Sequence, residues 1–486
     1  MKQRYIIGLD AGTTSVRSVV YDIVTKKIIC LKRANIAQFY PNKGWVEEDA
    51  EEIFFMLCRT MEEAIAEVGK PLSMYIGVGL TNQRETIVAF NKETGKPVAR
   101  AIVWQDKRTN DYIQSIPPKD KKIIKQKTGL IPDSYFSASK MQWILQNSKR
   151  AQDLLEKDKL CIGTLDSYLA YKFTGNFVTD TTNASRTMLM NIEKLNWDES
   201  LCSYFKVPTK TLPKIISSSE YIGNIQDLGL PLLSIIGDQQ SSLFGNGCTS
   251  EGMAKNTYGT GCFLLLNTGK NIVSSDKILT TIAYTMNGQT TYALEGSVFS
   301  ACSALNWVKK HFDIDEDFDS LDKKISKIEN HHGVYFVPAF TGLGSPYWSS
   351  KSGAEITGMT LDTTKYTVFR SAYESMAYNT KAIIDEMEKL INIPIKELRA
   401  DGGGSKSKFL LQYQADILNT KVMTGDSSEA TVLGCIFMAG LAANALSLED
   451  IRTLTTPTMT YTPSMQNKDR EMLYAGWQNA VNKLIK

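Results

Sequence analysis

A turn of small polar residues near the start of the chain has the composition of a phosphate-binding site. Backbone N–H groups in a tight turn form an anion-binding concavity. The side chains of Thr13, Thr14 and Ser15 add hydroxyl groups, and Arg17 adds a guanidinium. Asp10 precedes the turn, where its carboxylate would repel phosphate unless a cation such as Mg²⁺ lay between them. A plain hairpin with a polar tip remains the alternative for this stretch alone.

Asp238 is the best candidate for a proton-accepting residue. The chain has three histidines, too few for a histidine-based catalytic pair to be a strong expectation, so a carboxylate is the natural base. Asp238 stands where the apolar residues 233–236 give way to a polar stretch, and a hydrophobic wall can keep such a carboxylate at a useful pKa. An aspartate that only caps a turn or a helix is the alternative.

A second group of residues could bind a small polyhydroxylated molecule. Arg84 and Glu85 place a donor fork beside an acceptor, which would suit hydroxyl groups, although a structural ion pair is equally consistent with the pattern. Trp104, Tyr135 and Phe263 could form apolar walls around a carbon chain. Core packing is the more ordinary role for aromatic residues.

Strands followed by helices recur along the chain and predict an α/β fold. Apolar runs on either side of the first turn predict a hairpin, followed by a third strand at residues 27–31 and a helix at 49–68. Residues 254–266 predict a second hairpin around a Gly-Thr-Gly turn. A helix is predicted from Ser297, as N-cap, to His311, and another over 366–391. The glycines at 402–404 and a helix beginning at Ser405 would allow close approach of an anionic ligand.

Composition excludes several classes of protein. The chain has 486 residues, enough for two or three domains, and a net charge of +3 with its basic residues scattered rather than clustered, which argues against a nucleic-acid surface. The eight cysteines form no CxxC pair, so we expect reduced thiols in a cytoplasmic protein. No signal peptide or membrane-spanning segment is expected. No P-loop, dinucleotide fingerprint or GxSxG elbow occurs.

Several ordered motifs together resemble the FGGY family of sugar and polyol kinases, in particular its glycerol-phosphorylating branch. The resemblance spans essentially the whole chain. The motifs are residues 79–86 (GLTNQRET), 102–106 (IVWQD), 135–143 (YFSASKMQW), 182–187 (TNASRT), 237–240 (GDQQ), 256–263 (NTYGTGCF) and 338–348 (PAFTGLGSPYW).

The resemblance implies two ribonuclease-H-like domains of the actin, hexokinase and Hsp70 type, with a cleft between them that binds glycerol and Mg²⁺·ATP. We place the domains at residues 1–248 and 249–486. Asp238 would be the general base. Glycerol would contact Arg84, Glu85, Tyr135, Asp238, Gln239, Trp104 and Phe263. ATP would contact Thr13, Thr14, Ser15, Arg17, Thr260, Cys302, Asn306, Gly403 and Ser407, and Mg²⁺ would contact Asp10. Relatives are commonly dimers or tetramers, so a homodimer or homotetramer is expected.

The chain departs from the family pattern at three places. Ser407 stands where the family usually has Asn, and Cys302 and Asn306 stand where Gly and Gln are frequent, so nucleotide affinity or preference is expected to differ. Residues 221–233 lack the loop that binds fructose 1,6-bisphosphate in some bacterial relatives, and we predict no such regulation. A kinase for another polyol or sugar remains an alternative. A non-catalytic or filament-forming ATPase of the actin superfamily is a second alternative, against which Asp238 and the polyol set argue.

Overall fold

The computed structural model describes residues 3–330, 332–349, 353–425 and 429–486. The strands are β1 (Tyr5–Ala11), β2 (Ser15–Asp22), β3 (Lys27–Asn35), β4 (Gln38–Phe39), β5 (Glu47–Glu48), β6 (Tyr75–Asn82), β7 (Ile87–Asn91), β8 (Ala101–Ile102), β9 (Leu160–Thr164), β10 (Val178–Asp180), β11 (Met190–Asn191), β12 (Asn196–Trp197), β13 (Lys214–Ile216), β14 (Ser219–Asn224), β15 (Pro231–Gly237), β16 (Ala254–Tyr258), β17 (Cys262–Gly269), β18 (Leu279–Met286), β19 (Gln289–Val298), β20 (Tyr335–Val337), β21 (Glu355–Thr357), β22 (Glu397–Asp401), β23 (Lys421–Thr424) and β24 (Met459–Tyr461).

The helices are α1 (Ala50–Val68), α2 (Asn110–Ser115), α3 (Pro118–Thr128), α4 (Ser137–Asn147), α5 (Lys149–Glu156), α6 (Leu165–Thr174), α7 (Thr181–Ala184), α8 (Glu199–Tyr204), α9 (Asp238–Gly245), α10 (Cys302–His311), α11 (Phe318–Ile325), α12 (Lys365–Ile391), α13 (Lys408–Leu418), α14 (Ala430–Ala442), α15 (Leu448–Leu454) and α16 (Asn467–Ile485).

The same strand arrangement occurs in both halves of the chain. In the first half β3, β2, β1, β6 and β15 lie side by side, with β1 antiparallel to β2 and parallel to β6. In the second half β19, β17, β16, β22 and β23 repeat that order, with β16 antiparallel to β17 and parallel to β22. The two arrangements join through β14 and β18 into one thirteen-stranded sheet. The two predicted hairpins, β1–β2 and β16–β17, therefore occupy equivalent places.

Local sequence signals explain the helix that covers the first hairpin. Asp49 accepts hydrogen bonds from the backbone N–H groups of Glu51 and Glu52 and so caps α1 at its N-terminus. Gly69 ends the helix in the left-handed conformation, with φ of 62°. Ile53, Leu57 and Met61 recur on the buried face, as the helical period predicts.

Two predicted helix starts are wrong. Ser297 does not cap a helix, because its backbone pairs with Phe263 in the β17–β19 ladder and β19 continues to Val298; α10 begins at Cys302 instead. Ser405 lies in a short 3₁₀ turn, and Ser407 is the N-cap from which α13 starts at Lys408. At Ser297 long-range strand pairing decided the outcome, which a local capping signal could not show; at α13 the local cap is Ser407 rather than Ser405.

Helices α9 and α14 cross at glycines and join the two halves. A Cβ atom on Gly434 would lie 1.9 Å from the backbone oxygen of Ser241, and one on Gly245 would lie 1.9 Å from that of Ala430. The two backbones can approach this closely only because these side chains are absent. Since α14 belongs to the second half and also packs on β1 and β6 of the first, the crossing holds the halves in register.

The nearly apolar residues 433–442 form most of α14, and most of their side chains are buried. In the part of the chain that the structure describes, no helix combines the length and the apolar character needed to cross a membrane. The predicted domain boundary at residues 248 and 249 falls in the connection between α9 and β16.

Replacement of Gly434 by alanine tests the helix crossing. The new methyl group would overlap backbone atoms of α9, so we expect a loss of about 1–3 kcal/mol in the free energy of unfolding, or more where the helices separate. Urea denaturation followed by circular dichroism measures it. Gly425→Ala, where an added Cβ meets no atom within 4 Å, is the matched control. Equal stability of the two variants would contradict a close-packed crossing.

Candidate active site

Parallel strands bring the first-half candidates to one edge of the sheet. Asp10 lies near the end of β1, Arg84 and Glu85 follow β6, and Asp238 follows β15 as the first residue of α9. Because β1, β6 and β15 are mutually parallel neighbours, their carboxyl ends meet at this edge. The turn of the second hairpin, at residues 259–261, belongs to the opposite half.

The backbone next to Arg84 has two special features: a left-handed residue at position 85 and a glycine at position 237. Glu85 has φ of 60°, a left-handed conformation that is uncommon for a residue with a side chain and that turns the chain sharply after β6. A Cβ on Gly237 would lie 2.8 Å from Cγ of Arg84, so only glycine leaves room there for the arginine.

Arg84 belongs to a buried charge network that links the halves. Its Nη1 and Nη2 donate to the carboxylate of Glu295, on β19, at 2.6 and 3.0 Å. Arg186 donates to the same carboxylate at 2.9 Å and to Glu85 at 2.6 Å. Burial alone would raise the pKa of Glu295, but the two guanidiniums lower it to about 2. Both terminal nitrogens of Arg84 are thus held by Glu295, and its Nε lies nearest to Asp238.

Asp238 lies next to the side-chain nitrogen of Arg84 that does not contact Glu295, with 3.3 Å between its Oδ1 and Nε of the arginine. The same oxygen accepts the backbone N–H of Gln239 at 2.7 Å, and 27 % of the side-chain surface stays exposed. Burial in the cleft raises the pKa of Asp238 to about 6, against the opposing charge of Arg84. This carboxylate is therefore ionised near neutral pH and close enough to its pKa to accept a proton.

Asp10 carries a second carboxylate whose charge is poorly neutralised. Its nearest cation, Arg17, lies 3.9 Å away and donates instead to Glu429 at 2.9 Å. Burial raises the pKa of Asp10 to about 6, and the charge of Asp238 contributes in the same direction. Among the described residues no group of three or more His, Cys, Asp or Glu side chains could hold a metal by itself. Mg²⁺ commonly takes one or two carboxylates together with phosphate oxygens and water, and Asp10 offers one such carboxylate.

The three predicted aromatic walls lie together. The ring of Trp104 meets those of Tyr135 and Phe263 edge-on, at centroid distances of 5.6 and 6.4 Å. Trp104 also donates its Nε1–H to Oγ1 of Thr13 in the first turn at 3.0 Å, and Nη2 of Arg84 donates to the hydroxyl of Tyr135 at 3.3 Å. These three aromatics and Thr260 line a cavity of about 1330 Å³ between the halves.

The remaining first-turn residues differ in exposure. Thr14 is exposed at the tip of the turn, whereas Ser15 is buried and accepts a hydrogen bond from Arg33 at 3.0 Å. Arg17 lies opposite Asp10 in the β1–β2 ladder. Gln239 follows Asp238 and accepts a hydrogen bond from Lys255 at 2.6 Å.

The second-half candidates surround the turn of the second hairpin. Thr260 is exposed at the tip, and the backbone N–H of Cys302 donates to the oxygen of Gly259 at 3.1 Å. Asn306 is exposed one helical turn along α10 from Cys302, and Gly403 is exposed with no atom within 4 Å of an added Cβ. Ser407 differs, because its hydroxyl caps α13 and donates to Asp322 at 2.5 Å. The contact of each with a nucleotide stays a prediction.

Three charged residues of the site were absent from the sequence-based prediction, namely Arg186, Lys255 and Glu295. Lys255 and Glu295 are single charges inside otherwise uncharged, buried strands, and that pattern could have indicated them. Arg186 lies within the motif at residues 182–187, but its partners are distant in sequence and no local signal names them.

Comparison with known proteins identifies the family. Models for the N-terminal and C-terminal domains of the FGGY family of carbohydrate kinases match residues 5–245 and 254–443. The chain belongs to this family. It is 43 % identical over 488 residues to a glycerol kinase of Thermococcus gammatolerans, which covers 99 % of this chain and 98 % of that protein. It is 41 % identical to a glycerol kinase of Bacillus licheniformis, with 99 % of each covered.

Solved structures agree on the fold. The crystal structure of Plasmodium falciparum glycerol kinase with ADP matches with a TM-score of 0.92 and 35 % identity, covering 100 % of this chain and 99 % of that one. A gluconate kinase from Lactobacillus acidophilus, at 22 % identity and a TM-score of 0.88 over 99 % of this chain and 98 % of that one, shares the fold. The family resemblance and the two-domain α/β fold inferred from the sequence are confirmed.

Replacement of Glu295 by glutamine tests the buried network. Two guanidiniums would lose their shared counter-charge, so we expect a loss of about 3–5 kcal/mol in the free energy of unfolding at pH 7. Because the pKa of Glu295 in the folded protein is about 2, below its ordinary 4.5, its contribution is complete above pH 4.5 and declines as the pH falls towards 2. Urea denaturation at several pH values measures both effects.

Glu471→Gln, at an exposed position on α16, is the control and should change stability by less than about 0.5 kcal/mol. A Glu295→Gln protein as stable as the wild type at pH 7 would contradict the network.

Proposed function

We propose that this chain transfers the terminal phosphoryl group of ATP to glycerol, giving sn-glycerol 3-phosphate. The observation that carries the proposal is the carboxylate of Asp238, partly exposed beside Arg84 at the sheet edge and held at a raised pKa. Full-length relatives named glycerol kinase, at 43 % and 41 % identity, support glycerol as the substrate. A kinase for another small polyol or sugar is the second candidate.

The polyol is expected to lie between the charged and the aromatic groups of the site. Arg84 would donate to its hydroxyl oxygens, while Glu85 and Asp238 would accept hydroxyl protons. Trp104 and Phe263, whose rings lie 6.4 Å apart, would pack on its carbon atoms. The hydroxyl of Tyr135 stays protonated, because burial raises its pKa above the ordinary value, so it remains available as a donor.

The reaction needs positioning more than covalent chemistry by the protein. Asp238 would accept the proton of the attacking hydroxyl, and closure of the two halves would exclude water from the transferred group. Mg²⁺, when bound, would neutralise phosphate charge, and Asp10 would hold it. The turns at Thr13, Thr14 and Ser15 and at Thr260 would bind the phosphates, with Arg17 near the first turn.

The adenosine is assigned to the second half. Cys302, Asn306, Gly403 and Ser407 would line it, but the hydroxyl of Ser407 is already engaged with Asp322. We therefore expect the backbone around Gly403, rather than the Ser407 side chain, to make the closer approach to the adenosine.

The eight free cysteines are consistent with a cytoplasmic protein. A homodimer or homotetramer stays a prediction, which size-exclusion chromatography with light scattering tests.

A coupled assay of ADP release tests the function. Glycerol, xylulose and gluconate are offered in parallel with Mg²⁺·ATP, and turnover with glycerol should exceed that with the other two by at least about tenfold. Comparable turnover with xylulose or gluconate would favour the second candidate. ATP hydrolysis without any polyol dependence would overturn both.

Asp238→Asn tests the general base. Removing proton acceptance should lower kcat by about 10²- to 10⁴-fold, while glycerol still binds because the amide keeps the volume and one acceptor oxygen. Kinetics give kcat, and calorimetric titration gives glycerol affinity. Asp227→Asn, on the exposed turn between β14 and β15, should match the wild type. Full turnover by Asp238→Asn would assign the base elsewhere.

The pH dependence of kcat/KM follows from the same carboxylate. Since the pKa of Asp238 is raised to about 6, the base is increasingly protonated below pH 6, and kcat/KM should fall about tenfold for each unit beneath that value. Initial rates between pH 4.5 and 9 at saturating Mg²⁺·ATP measure the profile. A flat profile down to pH 5 would show that no group with this pKa takes part.

A further inference from the structure

Lys255 has no role in the proposed reaction, yet it lies beside the polyol site. It is on β16 of the second half, and its side chain is fully buried. Within the described residues, no ion pair joins its Nζ to a carboxylate; the Nζ donates to Gln239 and Thr257. Burying an ammonium without a contacting counter-charge is costly, so its hydrogen bonds must compensate.

A relay of hydrogen-bonded hydroxyl groups links Lys255 to an acid, Asp401. Its Nζ donates to Oγ1 of Thr257 at 2.7 Å, and Thr257 lies 3.1 Å from Oγ of Ser242. Ser242 donates to Oδ2 of Asp401 at 2.7 Å. Because an ammonium can only donate, every hydroxyl proton in this chain points away from Lys255 and towards Asp401. The relay fixes the ammonium in one place.

The other partner of Lys255 is the side-chain amide of Gln239, whose Oε1 lies 2.6 Å from Nζ. An amide can present either an oxygen acceptor or an NH₂ donor, but an ammonium has three donors and no acceptor. The oxygen must therefore face Lys255, which turns the NH₂ group of Gln239 away from it. Gln239 is partly exposed in the first turn of α9, directly after Asp238.

We propose that Lys255 is a positioning residue that locks the Gln239 amide, so that its NH₂ group donates to a hydroxyl oxygen of the polyol. The inference rests on the proposed function and deepens it. When ionised, the carboxylates of Asp238 and Glu85 accept hydrogen bonds and cannot donate them. Arg84 and the NH₂ group of the locked Gln239 can only donate. A hydroxyl group satisfies both, since it donates one hydrogen bond and accepts others. The lock therefore favours substrates with a free hydroxyl at this position.

Two variants and a double-mutant cycle test the lock. Lys255→Met keeps the length and removes the donors, so the KM for glycerol should rise about tenfold, the effect of one hydrogen bond, while kcat changes less than about threefold. Gln239→Glu still accepts from Lys255 but has no NH₂ group, and it should raise KM similarly while forming an ion pair that favours folding. In a Gln239→Ala background, Lys255→Met should raise KM less than about twofold further.

Controls separate this inference from the proposed function. Wild-type protein is assayed first, and failure to phosphorylate glycerol would overturn the proposed function itself. With an active wild type, unchanged KM values in Lys255→Met and Gln239→Glu, or an equal effect of Lys255→Met with and without Gln239, would overturn the lock. Lys270→Met, at an exposed position after β17, should behave as wild type. Thermal melting checks folding, and if Lys255→Met is unfolded, Gln239→Glu decides.

Discussion

The geometry of the site depends on the hydrogen bonds that two buried arginines donate to one carboxylate, that of Glu295. It comes from β19 of the second half, whereas Arg84 and Arg186 come from the first. Two guanidiniums buried this close together would repel each other without it, because the interior screens charge weakly. By accepting from both terminal nitrogens of Arg84, it also orients the guanidinium so that Nε lies 3.3 Å from Asp238.

This charge network requires the two halves to stay in register, and backbone packing supplies that register. The crossing of α9 and α14 at Gly245 and Gly434 leaves no space for side chains, so its geometry has little freedom. Asp238 begins α9, and the same short helix therefore carries both the proposed base and the contact surface.

The parts of the fold that sequence patterns could predict are those decided locally. The hairpin β1–β2 and the helix α1 follow from apolar periodicity, from Asp49 and from Gly69. The helix start predicted at Ser297 is wrong because strand pairing with the distant Phe263 outweighs the capping tendency of a serine. At the site, Asp238 and Arg84 follow recognisable strand ends. Glu295 and Lys255 each stand as a single charge in a strand, but no local pattern shows that they contact Arg84 and Gln239 in the other half.

The carboxylates of the site differ in how fully they are neutralised, and this difference separates structural from chemical roles. Glu295 contacts two guanidiniums, and its pKa falls to about 2, so it never exchanges a proton near neutral pH. Asp238 contacts only the Nε of Arg84, and burial raises its pKa to about 6. Arg84 thus neutralises the two acids unequally, because both of its terminal nitrogens donate to Glu295. Burial is what raises the pKa of Asp238, and Arg84, with both terminal nitrogens bound to Glu295, offsets that burial only in part.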